Sequence, residues 1–166
     1  MFTSKLIEKS KLLIQICQSS SLTIATAESC SGGLLSACLT EIPGSSNVFQ
    51  GGFITYSNDA KVTALSVSAE LIKEVGAVSE EVACAMAIGA LNRAETDLAV
   101  SITGVAGPDG GTNLKPVGLV HFGVATKHVA SHHEKHVFPG DRYNVRMHAV
   151  ETALELLLQS AAEYTA

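Results

Sequence analysis

The sequence predicts an α/β fold: a single domain with three layers, α/β/α, and a mixed, mostly parallel sheet. Its 166 residues suit one domain. Short apolar runs typical of buried strands alternate with helical patterns, and this order favours a layered α/β architecture. Hydrophobic residues make up 46% of the chain and charged residues 16%, a composition too apolar for a disordered protein. No stretch approaches 18 consecutive apolar residues, so we expect no membrane-spanning helix.

The first part of the chain alternates helices and strands. Residues Thr3–Ser19 place apolar side chains at steps of three and four, which predicts an amphipathic helix. A short buried strand at Leu22–Thr26 follows, and a second helix is expected over Gly33–Thr40. The next predicted strand, Val48–Tyr56, contains Gly51-Gly52, which indicates a bulge or a close backbone approach.

The second part begins with helices and ends with strands and a long helix. Two helices come first: a short one capped by Asn58-Asp59 and a longer one that is capped by Ser79 and runs to about Arg93. A strand at Leu98–Thr103 follows, and then an antiparallel pair of strands, Gly118–Thr126 and Val129–Phe138, joined by a very short turn. Asp141 caps the last helix. We find no internal repeat and no linker, so one domain over residues 1–166 is expected.

Charge and composition exclude several function classes. Eleven Lys and Arg against 16 Asp and Glu give a net charge of −5, which argues against a nucleic-acid partner. Aromatic residues are 5% and Trp is absent, so a stacking platform for single strands is not expected either. The four cysteines show no zinc-type spacing, and the N-terminus resembles no signal peptide, which together favour a reduced, cytoplasmic protein.

The first candidate site is the glycine-rich segment after the first strand. Glu28 is followed by three possible nucleophiles, Ser29, Cys30 and Ser31, and then by Gly32 and Gly33 at the start of a helix. Backbone N–H groups at such a helix start can hold an anion or an oxyanion. A tight strand-to-helix turn, capped by serine and bent by glycine, explains the same residues without chemistry.

Two further segments follow strands. The run from Thr103 and Gly104 to Thr112 is rich in glycine but is neither a dinucleotide fingerprint nor a P-loop, and a surface loop is its simplest interpretation. Tyr56, Asn58 and Lys61 follow the second strand, where a lone lysine is usually solvated. Lys61 becomes a candidate base only if it faces Ser29 and its pKa drops strongly.

The last helix and the strand before it carry other candidates. Arg142 and Arg146 share one face of the first helical turns, where a bound phosphate would offset their repulsion from the helix dipole. The alternative is that one of them forms an ion pair with Asp141 or a neighbouring carboxylate. A partial metal set of His132, Glu134 and His136 shares one strand face, but solvated strand surface is the better interpretation, and no metal is expected.

Taken together, the motifs resemble the C-terminal domain of the CinA (competence/damage-inducible protein) family. They keep the family's order and span nearly the whole chain. The matching segments are Ala27–Gly33, Gly52–Asn58 with Lys61, Gly76–Glu80, Gly104–Gly111, Lys115–Gly118, and Gly140–Arg142 with Arg146. One departure is Ser31, where the family usually has threonine, although both carry a hydroxyl.

The resemblance implies a CinA C-terminal-like fold and an amidohydrolase. The reaction would convert nicotinamide mononucleotide to nicotinic acid mononucleotide and ammonia in pyridine nucleotide recycling, with no metal or organic cofactor. A binding or regulatory module in competence or damage responses, without catalysis, is the alternative. The partner expected is the small nucleotide substrate, with no nucleic acid and no membrane, and the chain is expected to form a homodimer or a higher homo-oligomer.

An amide hydrolase needs a nucleophile, a base, an oxyanion hole and a grip on the substrate. We expect Ser29 as the nucleophile, Lys61 as the base and Tyr56 as a proton relay or an orienting group. Ser31 remains a rival nucleophile and Cys30 ranks third. The expected substrate contacts are Glu28, Ser31, Gly32, Gly33, Asn58, Thr103, Gly104, Arg142 and Arg146, with the two arginines on the phosphate and the N–H groups around Ser31–Gly33 or Thr103–Gly104 on the oxyanion.

Overall fold

The computed structural model describes residues 2–128 and 131–165 of the chain. Within these residues the helices and strands alternate along most of the chain. They are, in order, α1 (Ser4–Ser19), β1 (Ile24–Glu28), α2 (Leu34–Thr40), β2 (Phe49–Ile54), α3 (Asn58–Leu65), α4 (Ala69–Val75), α5 (Glu80–Ala94), β3 (Leu98–Gly104), β4 (Leu119–Thr126), β5 (His132–Val137) and α6 (Arg142–Thr165), with one 3-10 turn at Ser45–Asn47.

The strands form one sheet in the order β2-β1-β3-β4-β5. The three strands β2, β1 and β3 run parallel, whereas β4 pairs antiparallel with both β3 and β5. Because parallel strands end at the same edge of a sheet, the carboxyl ends of β1, β2 and β3 lie together. The segments that follow these three strands are therefore brought to one edge.

Helices cover both faces of the sheet. One apolar core packs α1, α2 and α6 on large side chains such as Leu98, Val100 and Ile102 of β3. The second core packs α3, α4 and α5 on the small side chains that alternate with them, including Ala99. The α6 face and the α5 face of the sheet therefore carry side chains of different size.

Small residues let α5 approach the sheet closely. A Cβ atom at Gly123 would lie 2.3 Å from the carbonyl oxygen of Ala83 in α5. The Ser101 hydroxyl donates to that same carbonyl at 2.6 Å and accepts from the Gly123 N–H at 3.1 Å. This close packing fixes α5, and with it the Gly76–Ser79 segment that leads into the helix.

The observed architecture confirms the predicted three-layer α/β fold with its mixed sheet. The antiparallel β4–β5 pair, the Ser79 cap of α5 and the Asp141 contact with the Asn144 N–H at the start of α6 are confirmed as well. The interruption expected at Gly51-Gly52 is present, since the β1–β2 register shifts opposite Gln50. Val129, where the fifth strand was expected to start, lies outside the described residues.

Three details of the prediction are wrong. The cap of α3 is Ser57, which accepts from the Ala60 N–H, and not Asn58-Asp59. Helix α4 was not predicted, although Ser68 accepts from the Leu71 N–H and is an ordinary N-cap. Strand β1 begins and ends two residues later than expected, so Glu28 is its last residue rather than part of the turn. Among residues 2–128 and 131–165, no helix has the length and apolar character needed to cross a membrane.

Candidate active site

A cavity of about 300 Å³ opens at the carboxyl ends of β1 and β3. It lies where ligands gather in open α/β sheets, and its size is at the lower end of small-molecule sites. The lining comes from five parts of the chain that are distant in sequence: Ser29 and Cys30; Tyr56, Asn58 and Lys61; Ala77 and Val78; Thr103–Gly107 with Asp109 and Gly110; and Arg142.

Ser29 and Lys61 meet at the floor of this cavity. The Nζ atom of Lys61 lies 3.0 Å from the Oγ atom of Ser29 and 2.7 Å from the carbonyl oxygen of Thr55. Ser29 is 9% exposed and Lys61 only 1%. The structure thus brings together the two groups that the sequence linked only conditionally, at a distance suited to proton transfer.

The environment of Lys61 favours the neutral amine. Burial lowers its pKa from the ordinary value of 10.5, and the nearby Cys30 thiol opposes that shift to a lesser extent. No carboxylate of the described residues forms an ion pair with Lys61. A buried amine without a counter-ion is a competent base, because the charged form is the one that burial disfavours.

Cys30 lines the cavity but is a poor nucleophile. Burial raises the pKa of its thiol to about 11, more than the nearby Arg146 and Lys61 lower it. The reactive thiolate is therefore scarce at neutral pH. This chemistry agrees with ranking Cys30 behind the two serines.

Glu28 lies beneath α2 and outside the cavity lining. Its carboxylate is fully buried and accepts four hydrogen bonds, from the N–H groups of Gly33, Leu35 and Ser36 and from the Ser36 hydroxyl, at 2.6–3.0 Å. It satisfies N–H groups that the helix start would otherwise leave unpaired. The structure therefore gives Glu28 the task of holding the loop after β1, not the substrate contact expected from the sequence.

The backbone of this loop leaves two donors unused. The Gly33 N–H is bonded to Glu28, and the Gly32 N–H donates to the Ser29 carbonyl at 3.0 Å. Among the described residues, no backbone carbonyl accepts from the N–H of Cys30 or of Ser31. Both N–H groups directly follow Ser29 in the chain. Cys30 lines the cavity, so its N–H is the better placed donor for an oxyanion, and the Ser31 N–H belongs to the next, buried residue.

Ser31 is completely buried, and its hydroxyl has no hydrogen-bond partner among the described residues. It does not line the cavity, and no base contacts its oxygen. Ser29 alone of the two serines combines access to the cavity with contact to Lys61. The geometry therefore favours Ser29 as the nucleophile.

Tyr56 and Arg142 form a bridge at the mouth of the cavity. The guanidinium of Arg142 donates to the Tyr56 hydroxyl at 3.0 Å and to the Gly107 carbonyl at 2.8 Å. Both side chains are exposed, and Tyr56 keeps 61% of its surface accessible. Tyr56 therefore contacts Arg142, and no hydrogen bond joins it to Lys61 among the described atoms.

Arg146 was expected beside Arg142 but lies behind the loop after β1. It donates to the carbonyl oxygens of Cys30 at 3.1 Å and of Ser31 at 2.9 Å. It does not line the cavity. Neither arginine forms an ion pair with Asp141 or another described carboxylate, and Asp141 accepts from Asn144 instead. The structure thus separates two arginines that the sequence placed on one ligand.

The remaining expected contacts fall into two groups. Asn58, Thr103 and Gly104 all line the cavity. The Thr103 hydroxyl is engaged, however, because it donates to the Ala77 carbonyl at 2.8 Å. Gly104 has no room for a side chain, since a Cβ atom there would lie 2.6 Å from the Leu119 carbonyl. Both residues shape the wall more than they offer free polar groups.

Several contributors were not identified from the sequence. The Thr55 carbonyl, which fixes Lys61, is a backbone atom and leaves no mark in the sequence. Asp109 lines the cavity and lies within the glycine-rich segment Gly104–Gly111, so that segment could have revealed it. The Lys115 ammonium donates to the Val75 carbonyl at 2.7 Å across Gly76, and so holds the segment that carries Ala77 and Val78.

The histidine-rich strand shows a local contact and no metal geometry. The His136 Nε2 atom lies 3.0 Å from a Glu134 carboxylate oxygen. Across the part of the chain that the structure describes, no group of three or more His, Cys, Asp or Glu side chains is arranged to hold a metal ion.

Comparisons with known proteins identify the family of this chain. The CinA C-terminal domain model matches residues 7–161. The chain is 45% identical to the nicotinamide-nucleotide amidohydrolase PncC of Escherichia coli over 99% of this chain and 100% of that protein. It is 47% identical to a competence-damage inducible protein of Caldicellulosiruptor saccharolyticus over 93% of this chain, but it spans only 37% of that longer relative.

The solved structures agree as well. The competence/damage inducible protein CihA of Agrobacterium tumefaciens superimposes with a TM-score of 0.94 at 42% identity, over 96% of this chain and 97% of that one. A CinA superfamily protein of Klebsiella pneumoniae gives a TM-score of 0.91 at 32% identity, over 95% of this chain and 98% of that one. By sequence and by fold, the chain belongs to the CinA C-terminal domain family.

Proposed function

We propose that this chain hydrolyses the carboxamide of nicotinamide mononucleotide, giving nicotinic acid mononucleotide and ammonia for pyridine nucleotide recycling. The observation that carries the proposal is the contact of 3.0 Å between Ser29 Oγ and Lys61 Nζ at the floor of a nucleotide-sized cavity. The full-length relationship to a protein named nicotinamide-nucleotide amidohydrolase supports the choice of substrate.

In the first half-reaction, the neutral amine of Lys61 takes the proton of the Ser29 hydroxyl as Oγ attacks the carboxamide carbon. The carbonyl π electrons move to oxygen, and the N–H groups of Cys30 and Ser31 stabilise that oxyanion. When the carbonyl re-forms, the C–N bond breaks and the Lys61 ammonium returns its proton to the departing nitrogen. Ammonia leaves, and Ser29 holds the nicotinoyl group as an ester.

In the second half-reaction, a water molecule replaces Ser29. Lys61 takes a proton from water as the water oxygen attacks the ester carbon, and the same two N–H groups hold the new oxyanion. The C–Oγ bond then breaks, and Ser29 regains its proton from Lys61. The product is nicotinic acid mononucleotide, whose new carboxyl group then gives its remaining proton to water or ammonia, and no metal or organic cofactor enters either step.

The substrate's phosphate is assigned to Arg142. This arginine lies at the cavity mouth, where its guanidinium is exposed and already oriented by Tyr56 and Gly107. Arginine binds phosphate bidentately, and a chain with a net charge of −5 needs a local cation to attract an anionic nucleotide. Tyr56 acts here by orienting Arg142, and Asn58 offers an amide to the ribose.

Ammonia release from nicotinamide mononucleotide by the purified protein tests the proposal. Ser29→Ala and Lys61→Ala should each abolish turnover, while Ser29→Ala still binds nicotinic acid mononucleotide. Arg142→Ala should mainly raise KM for the mononucleotide and leave the riboside nearly unaffected. Nucleotide binding by the wild-type protein without ammonia release would instead favour the regulatory module without catalysis.

A cytoplasmic location, a single domain over residues 1–166 and a homo-oligomeric state are part of the same proposal. They rest on composition, on the order of the motifs and on the family resemblance. Sedimentation analysis of the purified protein would decide the oligomeric state, and a monomer at micromolar concentration would contradict it.

A further inference from the structure

We propose that Arg146 is a positioning residue that orients one of the oxyanion-binding N–H groups, that of Ser31, toward the substrate. This inference rests on the proposed function, and it replaces the phosphate contact expected for Arg146 from the sequence. The starting observation is that one guanidinium donates to two successive carbonyl oxygens of the loop, those of Cys30 and Ser31, at 3.1 Å and 2.9 Å.

Because the peptide bond is planar, the hydrogen bond from Arg146 to the Cys30 carbonyl also sets the direction of the Ser31 N–H. In a trans peptide the carbonyl and the following N–H point in opposite directions, and among the described residues the only cis bond joins Gly107 and Pro108. When Arg146 draws the Cys30 carbonyl toward itself, the Ser31 N–H must therefore point away from Arg146. The direction of that N–H is fixed by a side chain that does not touch the cavity.

The layers of the fold show toward which face of the sheet the Ser31 N–H points. Arg146 belongs to α6, which packs on one face of the sheet, whereas Lys61 belongs to α3, which packs on the other face. Pointing away from Arg146 therefore means pointing toward the side of the sheet on which Lys61 contacts Ser29. No backbone carbonyl of the described residues competes for this N–H.

The loop is also shaped to receive the guanidinium. Gly32 has a φ of +62°, in the left-handed region, and a Cβ atom at this position would lie 3.3 Å from Arg146 Nη2. Glycine therefore permits the turn and the approach of the arginine at the same place. Hydrogen bonds from an ionised donor are stronger than neutral ones, which suits a loop that must not shift during the reaction.

The role of Arg146 differs from that of Arg142 in what its loss should change. Removing Arg142 removes a contact made with the bound substrate, so it should raise KM. Removing Arg146 frees the peptide that carries an oxyanion donor, so it should lower kcat by about 10²-fold, in the range found when one such donor is lost. KM should stay within about threefold of the wild-type value.

The test combines kinetics with a transition-state probe. The aldehyde analogue of the substrate, with –CHO in place of the carboxamide, adds the Ser29 hydroxyl reversibly: the Oγ–C bond forms, Lys61 takes the proton, and the carbonyl oxygen becomes a hemiacetal oxyanion. Arg146→Ala should weaken binding of this aldehyde by about 10²-fold and leave binding of nicotinic acid mononucleotide nearly unchanged. Added guanidinium chloride at millimolar concentration should restore part of the lost kcat.

Arg93→Ala is the control for the loss of an arginine, since Arg93 donates a hydrogen bond to the Ser66 hydroxyl but lies at the end of α5, far along the chain from the loop. It should leave kcat, KM and both affinities unchanged. If Arg146→Ala does not fold, Arg146→Lys supplies the test, because a lysine ammonium lacks the planar fork that reaches two carbonyls. We expect Arg146→Lys to fold and to show the same selective loss for the aldehyde.

Several outcomes would overturn the inference. A kcat of Arg146→Ala within about threefold of wild type, or equal losses of aldehyde and product affinity, would show a purely structural role. A rise in KM alone would return Arg146 to the phosphate. A wild-type protein that releases no ammonia would overturn the proposed function, whereas an active wild type with an equally active Arg146→Ala would overturn this inference alone.

Discussion

Replacing Glu28 by glutamine should destabilise the protein although the two side chains have nearly the same shape. One carboxylate oxygen accepts from the N–H groups of Gly33 and Leu35, both at 3.0 Å. The other accepts from the N–H and the hydroxyl of Ser36, at 2.8 Å and 2.6 Å. A carboxylate serves four donors at once, whereas a glutamine amide offers one acceptor oxygen and an NH₂ group that is itself a donor.

The magnitude follows from the better of the two amide orientations. If the NH₂ group faces Gly33 and Leu35, two N–H groups lose their acceptor. If it faces Ser36, the hydroxyl can turn to accept from it, and only the Ser36 N–H is left without a partner. One unpaired buried donor costs about 1–3 kcal/mol, and the remaining bonds lose their charge, so we expect a loss of about 2–4 kcal/mol. That is a large share of the roughly 5–15 kcal/mol that stabilises an ordinary domain.

The assay is the free energy of unfolding from urea denaturation, measured beside kcat and KM. Glu155→Gln is the control, since Glu155 is a half-exposed carboxylate that pairs with Lys9 on the surface and should change stability by less than about 1 kcal/mol. Glu28→Gln with wild-type stability would refute the assignment. Wild-type stability with a raised KM would restore the substrate contact that the sequence predicted.

Three further predictions concern the base, the second strand and a buried histidine. In a plot of kcat/KM against pH, the midpoint of the acid limb should lie below the ordinary lysine value of 10.5, because burial lowers the pKa of Lys61 and activity requires its neutral form. An acid limb with the same midpoint in Lys61→Arg would contradict this. Gly52→Ala should lose about 1–3 kcal/mol of unfolding free energy, because its Cβ would lie 2.3 Å from the Ser36 hydroxyl, whereas Gly51→Ala meets nothing within 4 Å and should be neutral. The pKa of His121 is lowered to about 4, by burial first and then by the neighbouring His133, Lys135 and Lys115, with Glu80 opposing. The unfolded chain, with a histidine pKa near 6.5, therefore binds more protons than the folded chain between about pH 4 and pH 6.5. The free energy of unfolding should fall by about 2 kcal/mol from pH 7 to pH 5 in urea titrations. The same fall in His121→Gln would refute the assignment.

The fold was predictable wherever local patterns decide it. The apolar spacing of α1, the Ser79 cap of α5 and the glycines of β2 each specify their element within a few residues. Helix α4 escaped prediction because it is only seven residues long, and so short a helix shows little apolar periodicity. Its Ser68 cap was present in the sequence and could have revealed it.

The site was predictable in its members but not in their contacts. Ser29, Tyr56, Lys61 and Arg142 all line the cavity, because each follows a strand or opens a helix at the edge where ligands gather. The spacing of four residues placed Arg142 and Arg146 on the same side of α6, but they lie about one turn apart along the helix axis. One arginine therefore reaches the cavity mouth and the other reaches the back of the loop, a difference set by tertiary packing that periodicity does not contain.

The alternation of side chains along β1 explains how Glu28 can directly precede Ser29 without pairing with Lys61. Ala27 packs with the α3–α5 core, so Glu28 points to the opposite face, where it holds the start of α2, and Ser29 returns to the face of Lys61. A carboxylate beside Lys61 would favour the ammonium and offset the effect of burial on its pKa. Because the alternation places Glu28 on the opposite face of the sheet, Lys61 stays buried, unpaired with any described carboxylate and in contact with Ser29. A shift of one residue in this strand would exchange the two positions, placing the acid against the lysine and the serine beneath α2.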